Sequence, residues 1–136
     1  MYKLLIADDE QLERQALRFI IEKNLPDIQV IGVTGDGVSA IHISESEKPD
    51  IVLMDIRMPG TNGLEAAKSI RELVPDAVII MLTAMEEFAY AKEALSIGAS
   101  EYLLKPVRPD DLVRVLAAVT VKIGEMKEKR QEEIHL

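Results

Sequence analysis

Two hydrophobic periods take turns along this chain. Short continuous apolar runs alternate with stretches of helical spacing: Leu4-Leu5-Ile6-Ala7, Ile51-Val52-Leu53-Met54, Val78-Ile79-Ile80-Met81-Leu82 and Tyr102-Leu103-Leu104. Runs of that length, bounded by turn formers, predict strands buried on both faces. The first strand covers 3–8. A helix over 10–24 follows, with Leu12, Ala16, Phe19 and Ile20 on one face, and Asp9 is a candidate N-cap for it. Pro26-Asp27 stops that helix. Residues 28–34 read as the second strand, Asp36-Gly37 as a turn, and 38–47 as a short helix. Lys48-Pro49-Asp50 leads into the strand 51–54. Then comes a loop dense in turn formers, Met58-Pro59-Gly60-Thr61-Asn62-Gly63. A helix over 64–73, a strand over 77–82 and an alanine-rich helix over 86–97 follow, the last ending at Gly98, a natural C′ residue. The strand 100–104 precedes a final helix opened by Pro109-Asp110-Asp111, with acids where the helix dipole favours them.

Five strands and five helices in strict alternation, with short connections, predict an α/β fold. It is a parallel five-stranded sheet between two helical layers, a (βα)5 three-layer sandwich. For 136 residues the flavodoxin-like strand order 2-1-3-4-5 is the standard solution. That order sets the first and third strands side by side at the topological switch point. Their carboxyl ends then share the edge where open α/β sheets carry their sites.

Each of the four apolar runs closes on a polar residue that phosphate chemistry can use: Asp8-Asp9, Asp55, Thr83 and Lys105. Three carboxylates that close together repel unless a cation or protons intervene. All are hard oxygen ligands with no His or Cys beside them, a donor set that suits Mg2+. A carboxylate can itself be the nucleophile and form an aspartyl phosphate. Asp55 is the candidate because it alone ends the central strand. Lys105 offers a point charge to a phosphoryl oxygen, and Thr83 a short, rigid hydroxyl donor. Taken singly these residues have plainer readings. Asp9 serves equally well as a helix cap, Thr83 as a strand-end residue satisfying its own backbone, and Lys105-Pro106 as a solvated loop. Their joint placement at successive strand ends carries the functional reading.

Composition narrows the classes. The absence of cysteine excludes disulfides and thiolate metal sites. A formal net charge of −8 argues against this chain contacting nucleic acid itself, since phosphate contacts need a basic face. The apolar runs are too short to span a bilayer, and the N-terminus lacks the form of a signal peptide, so the expected compartment is the cytoplasm.

Over about residues 1–120 the chain resembles the receiver domain of bacterial two-component response regulators. The resemblance rests on Asp8-Asp9-Glu10, on Met54-Asp55-Ile56-Arg57-Met58-Pro59-Gly60 with Asn62-Gly63, on Leu82-Thr83-Ala84, and on Gly98-Ala99 through Tyr102-Leu103-Leu104-Lys105-Pro106. It implies roles. Asp55 would be the phosphoacceptor, loaded by a sensor histidine kinase. Asp9, Asp55 and the backbone carbonyl of Arg57 would bind Mg2+ directly, and Asp8 through a water. Lys105 would contact the phosphoryl group. Thr83 would move toward it, and Tyr102 would rotate inward in response. The Lys105-Pro106 bond is expected to be cis. Such a domain catalyses only its own phosphorylation and dephosphorylation, and its output is a shift between conformations. Its expected homodimer face combines the helix over 86–97, the fifth strand and the last helix. DNA binding would belong to an output domain that this chain does not include.

Several details refine that picture. The positions two after the phosphoacceptor and two after the threonine commonly tune phosphoryl lifetime; here they are Arg57 and Met85, neither an acid nor an amide, which points to slow self-dephosphorylation. Glu86-Glu87-Phe88-Ala89-Tyr90-Ala91 resembles regulators with an AraC-type output; Phe88 and Tyr90 read as one core and one surface aromatic, with a partner surface at Tyr90 as the alternative. Leu112, Leu116, Val119, Ile123 and Met126 repeat at heptad spacing. The first half of that seam faces a core. Residues 122–136 form a charged helical extension beyond a domain covering 1–121: a solvated tail or the start of a linker, with Arg130 and Glu133 interrupting the seam. The extension favours a fragment of a longer regulator over a stand-alone receiver or phosphorelay protein. His42 and His135 read as surface residues. A Mg2+-dependent phosphohydrolase is the remote alternative, weakened by Arg57 where a second acid would stand and by the lack of a cap. An FMN carrier fails because Asp8-Asp9-Glu10 occupies the place of a phosphate-cradling loop.

Overall fold

A computed structural model describes residues 1–84, 89, 92, 93, 96 and 98–134. Most of the helix expected over 86–97 lies outside the described residues, as do Met85, Phe88, Tyr90 and His135. The described elements are β1 (Tyr2–Ala7), α1 (Gln11–Asn24), β2 (Ile28–Thr34), α2 (Gly37–Glu47), β3 (Ile51–Asp55), α3 (Gly63–Leu73), β4 (Val78–Thr83), β5 (Glu101–Leu104) and α4 (Pro109–Ile134). All strand pairs are parallel, in the order β2-β1-β3-β4-β5. This is the expected flavodoxin-like sheet.

The period of two along each strand divides the core. Leu4, Ile6, Leu53, Ile80, Leu82 and Leu103 face α1 and α4, where Leu17, Ile21, Leu112, Leu116 and Val119 cover them. Leu5, Ala7, Val52, Met54, Ile79 and Met81 face α2 and α3, meeting Ala40, Ala66, Ala67 and Ile70. The central strands β3 and β4 are almost wholly buried. The edge strands β2 and β5 are only partly covered, because each has a neighbour on one side alone. A register shift between Leu4 and Leu5 leaves Ile31 as an extra residue in β2.

Two local expectations are corrected. The N-cap of α1 is Glu10, with no side-chain capping bond, so Asp9 is not the cap. The first turn is instead tied down by Asp8, whose Oδ1 accepts from the Glu10 N–H at 2.9 Å. The face carrying Leu12, Ala16 and Phe19 points outward; Leu12 is 80% and Phe19 66% exposed. The core is met by Leu17 and Ile21, with Ile20 half-buried beside them. Helix α1 offers two candidate apolar stripes, and packing against the sheet selects the one that continues the core.

At α2 and α3 the turn residues before the helix serve as its caps. Asp36 accepts from the Ser39 N–H at 2.8 Å and Asn62 from the Glu65 N–H at 2.9 Å. Gly98 sits at φ +104°, a conformation that favours glycine. Helix α4 runs unbroken through residue 121 to Ile134. Leu112, Leu116, Val119 and Ile123 of its seam are buried, while Met126 is 45% exposed. Beyond them the helix is held on its own domain. Arg130 forms a two-pronged pair with Asp76 at 2.7 and 2.9 Å, and Lys127 reaches Asp50 at 3.6 Å and lies over the Tyr2 ring. His42 is exposed.

Candidate functional site

The same alternation that builds the core aims the site. Asp8, Asp55 and Lys105 each follow a core residue of the α1 face by two positions: Ile6, Leu53 and Leu103. They therefore point to the side of the sheet that carries α1. Backbone bonds lock the strand ends together. The Ile56 N–H donates to Leu82 O at 3.2 Å and the Lys105 N–H to Thr83 O at 2.7 Å. The Lys105-Pro106 bond is cis, as expected.

Asp8 is fully buried and Asp55 nearly so. One carboxylate oxygen from each of Asp8, Asp9 and Asp55 falls within a group no wider than 4.8 Å. Asp55 Oδ1 accepts from the Arg57 N–H at 3.2 Å, and its Oδ2 accepts from Lys105 Nζ at 2.8 Å. The Lys105 ammonium also lies 3.2 Å from Asp8 Oδ2 and 3.1 Å from Glu13 Oε2. Thr83 is buried, and its hydroxyl donates to the Ala84 carbonyl at 3.2 Å. Tyr102 on β5 is half-buried against the α2–α3 side of the core. The Arg57 side chain is exposed.

Electrostatics at this edge are set by burial. Burial pushes the Asp55 carboxyl up to about 7; Lys105 pulls it down, while the Asp8 charge and a bond with Asp9 push it further up. Burial also raises Glu13, with Lys105 opposing. Burial by itself would lower the Lys105 ammonium, but Asp55, Asp8 and Glu13 together hold it above its ordinary value. Among the described residues a single ammonium thus stands against the carboxylates of Asp8, Asp9, Asp55 and Glu13.

These acids fit a hard divalent cation. Asp8 Oδ2 is buried and, despite its nearness to Lys105, has no hydrogen-bond partner, and the three-carboxylate group is all oxygen. The structure brings Asp8, Asp9, Asp55 and Lys105 together as expected.

Sequence reading missed Glu13, and it named Gly63 only as a loop former and as part of the receiver-like motif. Glu13 lies in the first turn of α1, one turn after the acids at the end of β1, and that spacing was the available signal. Gly63 opens α3 against the end of β3. A Cβ there would stand 1.9 Å from the Asp55 carbonyl oxygen, and its N–H donates to Ile56 O at 2.8 Å.

Residues 4–117 match the profile of the response regulator receiver domain. The chain belongs to that family. This receiver domain is 39% identical over 126 residues to the transcriptional regulatory protein LnrK of Bacillus subtilis, covering 93% of this chain and 56% of that protein. It is 38% identical over 118 residues to the chemotaxis protein CheY of Thermotoga maritima, covering 87% of this chain and 97% of CheY. The chain spans about half the length of several other curated relatives it matches. Among solved structures, the REC domain of AraT from Geobacillus stearothermophilus superposes with a TM-score of 0.87 at 35% identity, covering 93% of this chain and 98% of that one. Receiver domains are regulatory modules rather than classical enzymes. No helix among the described residues is long and apolar enough to cross a membrane.

Proposed function

We propose that this receiver domain is a phosphorylation switch whose acceptor is Asp55. The observation that carries the reading is the Asp55 carboxylate itself. Lys105 Nζ is 2.8 Å from one of its oxygens and the Arg57 N–H bonds the other, with Asp8 and Asp9 alongside. A carboxylate oxygen of Asp55 attacks phosphorus, and the bond from phosphorus to the donor's leaving atom breaks. For a phosphohistidine donor the electron pair goes to the imidazole nitrogen, and Asp55 becomes an acyl phosphate. Asp9, Asp55 and the Arg57 carbonyl would hold Mg2+, with Asp8 acting through a water; the ion supplies charge neutralisation for the phosphoryl oxygens. Lys105 exchanges its bond with the carboxylate for one with a phosphoryl oxygen. Thr83 turns its hydroxyl from Ala84 toward the new group, and Tyr102 follows inward.

The donor is a sensor histidine kinase, and the compartment is the cytoplasm. The outward Leu12–Phe19 face of α1, flanking the site, supports a protein donor. The output is a conformational and dimerisation change on the face that contains β5 and α4. DNA binding belongs to a separate output domain; the charge of −8 and the transcriptional relatives support that division. Residues 122–136 serve as the helical connection toward it. A stand-alone module is the second reading, favoured by the near-complete match to Thermotoga CheY.

Incubation with acetyl phosphate and Mg2+ tests the reading by intact mass. A gain of one phosphoryl group is expected, absent without Mg2+ and absent in Asp55→Ala. Turnover of many equivalents of a phosphate ester would instead make it a phosphohydrolase. With Arg57 and Met85 at the lifetime positions, the phosphoryl group should decay slowly once donor is removed. A half-life of seconds that Met85→Asn leaves unchanged would contradict that expectation.

A further inference from the structure

Lys105 has a partner that the acid cluster does not require. Its ammonium carries three N–H groups and meets three carboxylates: Asp55 at 2.8 Å, Glu13 at 3.1 Å and Asp8 at 3.2 Å. Asp8 and Asp55 belong to the carboxylate group that fits a cation; Glu13 does not. Glu13 reaches the ammonium from the first turn of α1. Its turn is pinned, because the neighbouring Arg14 guanidinium donates to the Asp8 carbonyl at 2.7 Å. Both side chains are largely withdrawn from solvent, Glu13 at 19% and Lys105 at 17% exposure, so their attraction is only weakly screened.

We infer that Glu13 is a positioning residue that competes with the phosphoryl group for Lys105 and so sets how strongly the switch holds its phosphorylated state. The inference rests on the Asp55 reading above and adds a determinant of its equilibrium. A divalent cation held at the three aspartates would take up the charge of Asp8 and Asp55. Glu13 then remains as the uncompensated counter-charge on Lys105, drawing the ammonium toward α1. A phosphoryl group on Asp55 must win Lys105 back, and it must do so beside a second anion bound to the same ammonium. Both effects act against the phosphorylated state. Neutralising Glu13 removes both, while slightly weakening attraction for the cation.

The test uses fluoroberyllate, a phosphoryl mimic, titrated at saturating Mg2+ and followed by 19F NMR. Glu13→Gln, nearly isosteric, is expected to bind fluoroberyllate more tightly by roughly three- to tenfold. Its Mg2+ affinity, measured calorimetrically without fluoroberyllate, should be unchanged or slightly weaker. That opposition of signs separates positioning from damage, since a disturbed fold would weaken both. Glu13→Ala should shift both affinities in the same directions, giving a second variant if Gln disturbs the helix. Fluoroberyllate affinity equal to or weaker than wild type in both variants overturns the inference while leaving Asp55 as acceptor. A wild-type protein that forms no Mg2+-dependent adduct, or whose adduct survives Asp55→Ala, overturns the underlying reading and this inference with it.

Discussion

At the scale of single residues, the site is defined by charges kept in place against their own repulsion. Burial pushes Asp55 up to about 7, above the ordinary carboxylate value of about 4 it takes when unfolded. Between those values the folded protein holds a proton that the unfolded chain has released. The Asp55 contribution to the stability of the Mg2+-free protein therefore falls as pH rises from about 4 toward about 7, then levels off. Asp55→Asn removes this component. In EDTA at pH 8 the variant should melt above wild type, and the gap should close at pH 4; a variant melting lower at pH 8 contradicts the assignment. Gly63 matters for space rather than charge. With only 1.9 Å between its Cβ position and the Asp55 carbonyl oxygen, Gly63→Ala must displace the end of β3 or the start of α3. A loss of about 3 kcal/mol in urea unfolding is expected, typical of severe backbone overpacking.

At the scale of elements, alternation of strands and helices was legible because each period is local. Strand boundaries expected from apolar runs agree with the structure within a residue or so, and the caps Asp36 and Asn62 sit where turn chemistry puts them. Helix α1 shows where local pattern stops deciding. Two apolar stripes share that helix, and only contact with the sheet distinguishes them. Leu17→Ala or Ile21→Ala should cost about 2–4 kcal/mol, the range for buried aliphatic truncation. Leu12→Ala and Phe19→Ala should leave the unfolding midpoint nearly unchanged, since those side chains are exposed. The reverse pattern would restore the face first expected inside. The seam of α4 behaves likewise. Its first four positions enter the core, but Arg130, an interruption when read as a heptad, finds Asp76 on the domain itself.

At the scale of the whole molecule, four carboxylates and one ammonium converge on one edge of a chain already at −8. A divalent cation should therefore stabilise the fold as well as prepare it for phosphoryl transfer. Addition of Mg2+ should raise the melting temperature of wild type, EDTA should reverse the gain, and Asp9→Asn should abolish most of it. An equal Mg2+ response in Asp9→Asn would place the ion elsewhere. The sequence alone determined the order of elements, the parallel sheet and the identity of the strand-end groups. Those follow from periodicity and from short connections, which act between near neighbours. Which stripe of α1 turns inward, why position 63 admits only glycine, and that Glu13 meets Lys105 were decided by tertiary structure. The first and last depend on distances between segments remote in sequence, which exist only once the helices have packed against the sheet; the Gly63 contact depends on how the loop after β3 turns the start of α3 back onto Asp55 and Ile56.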